Sequence, residues 1–436
     1  MPSEELGGLL TLAREAALAA LRWVTGAGIA AGDGMTWPET LARGARIADE
    51  LYSGTAGVLA ALAEARLCGI TEHDECARAA MRRLRGLDVT ADGPGGLGLY
   101  TGSAGAAAAL HRWALAAGDQ QAADAAGAVT AAIARRVTAD GQVTGWLDII
   151  SGQAGILLVL AELGGASAAP AVGAIADRLV AAARWTGGEP AWLAGPGMTY
   201  ELPNFSHGAA GIGYALAVAG ARLGRPDLVD VAALAGRRLA RLGRRPDGSI
   251  AVAHAIPALD EPEPVSYGWC HGPTGTLRLF QVLDLAQPGR GWADLAQACR
   301  RGVRASGLPA RIRPGFWDNV GLCCGTAGVG EMALDRYQET GAREWLDWSA
   351  ELAADVLGRR IADGDGVRWS QTEYRADPPD LEPEVGLMQG AAGIAAWLLR
   401  LARVGAEGSS ARQLWWPDKP DPTHQWTATE CDGTVA

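Results

Sequence analysis

The chain has 436 residues, a formal net charge of −11 at pH 7 and a pI near 5.1, so it lacks the basic excess that neutralises phosphates. Nucleic acid and anionic membrane surfaces are therefore poor partners. The first residues, 1–5, lack the basic segment of a secretory signal, and no run approaches ~20 uninterrupted apolar residues. We expect a cytoplasmic protein without membrane insertion.

Amphipathic and nearly all-apolar segments alternate along the chain. Residues 9–23 carry apolar side chains at 3–4 spacing and charged ones on the other side, which predicts an outer helix. Residues 54–67 are almost wholly apolar and predict a buried helix, with Ser53 as its expected N-cap.

The same alternation then occurs six more times. Amphipathic segments at 72–86, 119–136, 168–184, 226–242, 289–304 and 343–360 precede apolar ones at 102–116, 152–164, 208–222, 272–284, 325–338 and 390–403. Strand signals are confined to short pieces such as 137–143, so the fold is predicted to be almost wholly helical.

A G-x-x-G motif opens every apolar helix. Its first glycines are Gly54, Gly102, Gly152, Gly208, Gly272, Gly325 and Gly390. A glycine in a helix costs about 1 kcal/mol relative to alanine, so its repeated use predicts close packing where helices converge or the chain turns sharply.

Seven such helix pairs can close into a ring with the apolar helices inside. We predict an all-α fold, an α/α toroid of seven inner and seven outer helices, formed by a single domain over residues 1–405. The inner helices would run parallel, so their N-termini would collect at one end of the ring, which we call the mouth. The repeat stops after Gly405, and residues 406–436 are predicted to be a partly ordered tail whose Trp415 and Trp416 dock on the ring.

Aligning the motifs on the first glycine exposes a chemical pattern. The residues immediately before it, at position −1, are Ser53, Thr101, Ser151, His207, His271, Cys324 and Gln389. Position −2 holds Cys270 and Cys323 in the fifth and sixth repeats. Taken singly, each histidine or cysteine is more often structural, but together they place five metal-capable side chains at one mouth. Soft thiolates, with or without imidazole, suit Zn²⁺, and three protein ligands with an open fourth position are typical of a catalytic site.

The remaining cysteines fit no such pattern. The chain has seven in all, an odd number that favours reduced thiols over a disulfide framework. Four lie away from the mouth and are predicted to be structural: Cys68, Cys76, Cys299 and Cys431.

Three motifs resemble those of a known family. Trp269-Cys270-His271-Gly272, Cys323-Cys324-Gly325 and Ser206-His207-Gly208, together with the sevenfold G-x-x-G, are similar to the lanthionine synthetase C-like (LanC-like) cyclases over residues 5–405. The resemblance implies a toroid whose zinc ion activates a cysteine thiol of a precursor peptide for Michael addition to dehydroalanine or dehydrobutyrine.

The resemblance also implies roles for particular residues. The zinc ligands fall on Cys270, Cys323 and Cys324, where Cys324 replaces the usual histidine, as in a subset of the family with three thiolates. The acid/base histidine falls on His207 and the active-site aspartate on Asp148. An arginine often found four residues before the first zinc cysteine is absent. Ser266 stands in its place.

Some assignments stay open. His271 either shares the acid/base work or supports the site without touching the substrate. The expected partners are a dehydrated precursor peptide and a separate dehydratase that acts first. The alternatives are a non-catalytic LanC-like protein that binds peptide or glutathione, a zinc prenyltransferase-like toroid that alkylates thiols, and a toroidal glycosidase. For the last, Asp148 and Glu331 are the sole candidate carboxylates near the motifs, and they form no convincing pair.

Overall fold

The computed structural model describes residues 1–89, 96–140, 144–260, 263–310, 319–372 and 380–420. Helices dominate these ranges, and none of them is long and apolar enough to cross a membrane. In chain order they are α1 Ser3–Gly26, α2 Thr55–Leu67, α3 Asp74–Arg85, α4 Ser103–Ala117, α5 Gln120–Asp140, α6 Gln153–Leu163, α7 Gly165–Ala181, α8 Ala209–Leu223, α9 Pro226–Gly243, α10 Pro273–Ala286, α11 Trp292–Arg304, α12 Thr326–Thr340, α13 Arg343–Gly358 and α14 Ala391–Glu407.

Short antiparallel strands lie in the connections between helices. They are β1 Ile29–Ala31, β2 Gly34–Pro38, β3 Ile47–Ala48, β4 Arg184–Thr186, β5 Glu189–Ala191, β6 Ile361–Asp363, β7 Gly366–Arg368, β8 Gln371–Thr372 and β9 Asp380–Leu381. They pair in the orders β1-β2-β3, β4-β5, β6-β7 and β8-β9. Of the strand-like piece 137–143, residues 137–140 belong to α5 and the rest lies outside the described residues.

The helices form the two predicted layers of an α/α toroid. The even-numbered helices are inner ones; in α8, for example, every residue from Ala209 to Gly220 is buried. The odd-numbered helices are outer and amphipathic; α11 buries Trp292, Ala296, Cys299 and Val303 along one face. The ring closes because α14 packs against α2, and α1 packs against α14.

The pairing of layers differs from the sequence prediction. Each outer helix was expected to pair with the apolar helix that follows it, but it packs most extensively on the inner helix that precedes it, as α5 does on α4 and α9 on α8. The physical reason is connection length. A short turn such as the one from α4 to α5 keeps the two helices antiparallel and adjacent, whereas the chain from an outer helix to the next inner one passes through a longer loop.

Glycine, rather than Ser53, caps the first inner helix. Gly54 is the N-cap of α2, and the Ser53 hydroxyl donates instead to Glu50 Oε1 at 2.9 Å. The first glycine of the motif has the same capping place in all seven repeats. Each adopts extended backbone and contributes no side-chain cap, so the turn into the helix depends on close backbone approach.

The second glycine of each motif explains the predicted close packing. A methyl group there would lie under 3.0 Å from the carbonyl oxygen of the residue six positions earlier in every repeat. In the second repeat, for example, Gly105 would meet both the carbonyl of Leu99 and the side chain of Leu51 from the neighbouring repeat. The motif therefore lets the loop before each inner helix fold back onto the first helical turn.

Backbone hydrogen bonds join these loops into a closed circuit around the mouth. In each bond the backbone N–H of the first residue donates to the carbonyl oxygen of the second. The bonds are Tyr52 to Tyr100 (2.9 Å), Tyr100 to Ile150 (2.9 Å), Ile149 to Ser206 (3.1 Å), Ser206 to Cys270 (3.0 Å), Cys270 to Cys323 (3.1 Å), Cys323 to Met388 (2.8 Å) and Met388 back to Tyr52 (2.9 Å). We call this set the loop circuit. Its members occupy position −2 of each repeat, apart from the donor Ile149. The circuit fixes which side chains share the mouth.

The chain after α14 packs inside the ring. Asp418 is 1% exposed and accepts hydrogen bonds from the Tyr100 hydroxyl and the Trp269 indole, both at 2.9 Å, and from the Arg278 guanidinium. Lys419, the sole lysine of the sequence, lies 2.8 Å from both Glu331 and Asp335. Two consecutive tail residues thus hold different inner helices, Asp418 contacting α10 and Lys419 contacting α12.

Replacing a motif glycine should destabilise the protein strongly. We expect Gly105→Ala to lower the free energy of unfolding by about 3 kcal/mol, the upper end for forcing an extra methyl into a packed site, because backbone cannot move aside. Gly127→Ala is the matched control: Gly127 is exposed in α5 with nothing within 4 Å, so alanine should leave the protein as stable or up to about 1 kcal/mol more stable. Urea unfolding of both variants measures this, and equal effects would refute the close approach.

Removing the buried carboxylate of the tail should also be costly. Asp418→Ala leaves the Arg278 charge buried and uncompensated, which should cost about 3–5 kcal/mol of unfolding free energy. Asp177→Ala breaks an exposed ion pair with Arg225 and should cost less than about 1 kcal/mol. Thermal unfolding compares the two. A mild effect of Asp418→Ala would mean that the tail does not hold Arg278 in solution.

Candidate metal centre

Three cysteine sulfurs meet at the mouth. Cys270 and Cys323 are consecutive members of the loop circuit, and Cys324 follows directly, so ring order alone brings the three side chains together. The Sγ of Cys270 lies 3.1 Å from that of Cys324, which lies 3.5 Å from that of Cys323, and all three sulfurs are within 4.8 Å of one another. Cys270 and Cys323 are buried, while Cys324 is half-buried.

The surroundings of these sulfurs suit a cation. Burial, reinforced by contact with the two other sulfurs, raises the pKa of Cys270 well above its usual range. For Cys323 the hydrogen bond with Cys270 lowers the pKa, but contact with Cys324 and burial outweigh it, so the net shift is also upward. A thiophilic metal ion would relieve the mutual repulsion of three buried thiolates. The donor set therefore fits a metal such as Zn²⁺, with the half-buried side left for a further ligand.

A histidine and an aspartate form a second feature of the mouth. His207 Nδ1 lies 2.6 Å from Asp148 Oδ2, and Asp148 is 1% exposed. The other carboxylate oxygen, Oδ1, accepts the backbone N–H of Ser151 at 2.9 Å, which fixes the carboxylate in place. This arrangement selects the tautomer with the proton on Nδ1, so Nε2 is the ring nitrogen available to a ligand.

One further histidine ring lies beside His207, and another lies beside that one. The ring of His271 is 5.5 Å from that of His207, and the ring of His254 is 6.2 Å from that of His271, measured between centroids. His254 is buried, with its Nδ1 3.2 Å from the carbonyl oxygen of Pro264. The sequence analysis missed His254 because it lies outside the repeated motif, where no alignment places it at the mouth.

The position where an arginine is absent holds a buried serine, whereas an arginine from another part of the chain reaches the mouth. Ser266 is only 2% exposed. Arg46, which precedes the first inner helix, donates to the Ser53 hydroxyl at position −1 (2.9 Å) and is held by Glu50. The only signal for Arg46 in the sequence is its nearness to the first motif, which does not reveal its direction.

The other thiols and Glu331 have structural surroundings. Burial raises the pKa of Cys68 to about 12 and that of Cys76 to about 11, and Cys299 is fully buried, so these thiols stay protonated. Cys431 lies outside the described residues. Glu331 pairs with Arg400 and Lys419 in the ring interior rather than with Asp148, so no carboxylate pair for glycoside hydrolysis forms between them.

This chain is similar to a protein family and to solved structures. The profile of the family described as lanthionine synthetase C-like protein matches residues 47–406. Among solved structures, a nisin cyclase is similar, with a TM-score of 0.59 and 15% identity over 80% of this chain and 88% of that one. A family 76 glycoside hydrolase (mannosidase) from Bacteroides thetaiotaomicron has a TM-score of 0.48 and 11% identity over 91% of this chain and 99% of that one.

The family profile and the solved structure support different conclusions. At 15% identity the similarity to nisin cyclase shows the fold alone. No curated protein matches the sequence. The family match begins after α1 and ends at residue 406, yet α1 and the chain after α14 both pack on the ring.

Metal binding to the cysteine cluster can be measured directly. We expect one zinc ion per chain with three sulfur ligands, because the three sulfurs already lie within 4.8 Å of one another. Cys270→Ala should abolish most binding, whereas Cys299→Ala, which removes a buried thiol on α11, should not affect it. Elemental analysis gives the stoichiometry and X-ray absorption the ligand atoms. Two sulfurs with one or more nitrogens would instead make His271 or His207 a ligand.

Proposed function

We propose, from the premise that this chain belongs to the lanthionine synthetase C-like family, that it is a zinc-dependent lanthipeptide cyclase. The reaction is addition of peptide cysteine thiols to dehydroalanine or dehydrobutyrine, which forms lanthionine or methyllanthionine thioether rings. The observation that carries this proposal is the convergence of three cysteine sulfurs with the His207–Asp148 pair at one mouth of the toroid.

Cys270, Cys323 and Cys324 would hold the metal. Bound there, Zn²⁺ supplies Lewis-acid chemistry, since it stabilises a fourth, substrate thiol as the thiolate near neutral pH. The half-buried Cys324 lies on the accessible side of the cluster, so a peptide entering at the mouth would meet the sulfurs there.

His207 is suited to the proton transfer that completes the addition. Attack of the thiolate on the β-carbon of the dehydro residue leaves negative charge on the carbonyl oxygen, and the α-carbon must then gain a proton. Asp148 orients His207 through Nδ1, so Nε2 would deliver that proton as a general acid. His271, whose ring is 5.5 Å from that of His207, either shares this role or limits the positions available to it.

The helix arrangement supports the same chemistry. The inner helices α8, α10 and α12 begin at the mouth, directly after His207, His271 and Cys324. The partial positive charge of a helix N-terminus, about half an elementary charge, favours the anionic groups that the reaction gathers there. This field acts on substrate and transition state without any movement of the protein.

The substrate class follows from the reaction. The partner would be a precursor peptide that already contains dehydro residues, so a dehydratase must act first and is proposed to be a separate protein. We further propose that residues 1–405 form the cyclase domain, that residues 406–436 are a tail, and that the protein acts in the cytoplasm.

Replacement of His207 tests the catalytic assignment. We expect His207→Ala to keep its zinc and to slow cyclisation by roughly 10²–10⁴, the span for losing a general acid or base, and Asp148→Asn to slow it less. His111→Asn, on α4 and packed against Trp415, should react at the wild-type rate. Single-turnover cyclisation of a dehydrated peptide, followed by mass spectrometry with a thiol-blocking reagent, measures these rates.

The same assay separates the alternatives. Loss of zinc from His207→Ala would make His207 a ligand rather than an acid. A wild-type protein that binds zinc and dehydrated peptide but forms no thioether would be the non-catalytic, peptide- or glutathione-binding family member. Addition of the thiol to a prenyl donor, with no reaction of the dehydro residue, would indicate a prenyltransferase-like enzyme.

A further inference from the structure

We propose that Tyr52 and Gln389 form a pair of hydrogen-bond donors to the sulfurs of Cys323 and Cys324, and that they offset the extra negative charge of a three-thiolate metal centre. This inference rests on the proposed function, because it requires a metal ion on the three cysteines. It assigns both residues as positioning residues, since they act on the reaction through ligand sulfurs and not by touching the substrate.

Gln389 is held so that its amide reaches a sulfur. Its Nε2 lies 3.5 Å from Cys324 Sγ, a normal distance for a donor to sulfur. Its Oε1 accepts from Asn319 Nδ2 at 3.1 Å, and Asn319 Oδ1 in turn accepts the backbone N–H of Gly321 at 2.9 Å. Because the amide oxygen is occupied by a donor, the orientation that presents –NH₂ to the sulfur is the favoured one.

Tyr52 reaches the cluster from the first repeat, which ring closure places next to the seventh. Its hydroxyl lies close enough to interact with the sulfur of Cys323 and with Cys324 and Cys270. Its backbone carbonyl accepts the N–H groups of Leu387 and Met388 at 3.1 and 2.9 Å, which anchors the residue beside the seventh repeat. A phenolic hydroxyl is a hydrogen-bond donor and a sulfur can accept, so Tyr52 can donate to Cys323.

The closed ring explains why these two residues meet the cluster. Tyr52 is at position −2 of the first repeat and Gln389 at position −1 of the seventh, while Cys323 and Cys324 occupy the same positions of the sixth. In the loop circuit the seventh repeat joins the sixth to the first. The donors and the acceptors are thus equivalent positions of neighbouring repeats, although 271 and 65 residues of sequence separate the two pairs.

Charge gives the donors their role. A divalent ion on three thiolates leaves a formal charge of −1, which becomes −2 when a substrate thiolate binds. Hydrogen bonds to thiolates draw electron density away from the sulfur–metal bonds. The metal then remains a better Lewis acid for the substrate thiol.

The test compares variants that remove one donor each. Tyr52→Phe removes only a hydroxyl, Gln389→Leu removes the amide, and Gln389→Glu keeps its shape but replaces the donor with a negative charge. The matched controls occupy the same positions of the second repeat: Tyr100→Phe, whose hydroxyl donates to Asp418, and Thr101→Val, whose hydroxyl contacts Ser151. Zinc affinity is measured by chelator competition at pH 7, and sulfur-to-metal charge transfer by absorption of the Co²⁺-loaded protein.

We expect each donor variant to bind zinc about 10- to 100-fold more weakly than wild type, with Gln389→Glu the weakest, and the controls to stay near wild type. The Co²⁺ charge-transfer band should move to longer wavelength without losing intensity, because the sulfurs remain bound but become more electron-rich. A purely structural role for Tyr52 or Gln389 would not shift this band.

The possible results separate a failure of this inference from a failure of the proposed function. Wild-type protein that binds neither zinc nor Co²⁺ overturns the proposed function. Wild-type protein that binds both, with Tyr52→Phe and Gln389→Leu unchanged in affinity and spectrum, overturns the donor pair alone. If Tyr52→Phe fails to fold, the two Gln389 variants decide. Zinc bound by Gln389→Leu and Gln389→Glu as tightly as by wild type, or more tightly, would contradict the inference.

Discussion

Seven backbone hydrogen bonds close a circuit around the mouth of the toroid, and the rest of the architecture depends on it. Each bond joins the loop before one inner helix to the loop before the next. The loop must therefore lie flat against the first turn of its own helix, where the carbonyl six residues before the second glycine leaves no room for a side chain. The glycine pair gives up helix propensity of about 1 kcal/mol per residue, and it gains a main-chain connection between all repeats. Because the last bond runs from Met388 to Tyr52, the first and seventh repeats are neighbours as fully as any other two.

The loop circuit closes the ring without fixing which kinds of side chain stand at the mouth. Its bonds use only main-chain atoms, so the side chains at positions −2 and −1 are free to differ without altering the ring. In repeats one to three, position −1 holds Ser53, Thr101 and Ser151, and in repeats four to six it holds His207, His271 and Cys324. The mouth is therefore chemically one-sided, with imidazoles and thiols on one arc and hydroxyls on the other. The candidate metal ligands and His207 therefore lie within one arc.

Sequence alone predicts what the repeat register controls. The helix positions, the toroid and the proximity of Cys270, Cys323 and Cys324 all follow from aligning one glycine, because equivalent residues must lie at one level of the ring. The register does not show how far a side chain reaches or in which direction. Tyr52 and Gln389 occupy aligned positions, yet nothing in the alignment shows that they contact sulfur. His254 and Arg46 reach the mouth from connections outside the motif, and the packing of outer helices on preceding inner ones depends on connection length, which the periodicity does not weigh.

The tail belongs to no repeat, and yet it supports the mouth. Asp418 needs the donors of Tyr100, Trp269 and Arg278 to offset its burial, and these come from the second and fifth repeats. A buried ion pair adds little stability over two well-packed apolar residues, but with so few possible partners it allows only one docked register for the tail. Trp269 connects the docked tail to the mouth. Its indole donates to Asp418, and the next residue in the chain is Cys270, whose main chain belongs to the loop circuit. The candidate ligand Cys270 is thus held by the circuit on its own level and by the tail through its neighbour.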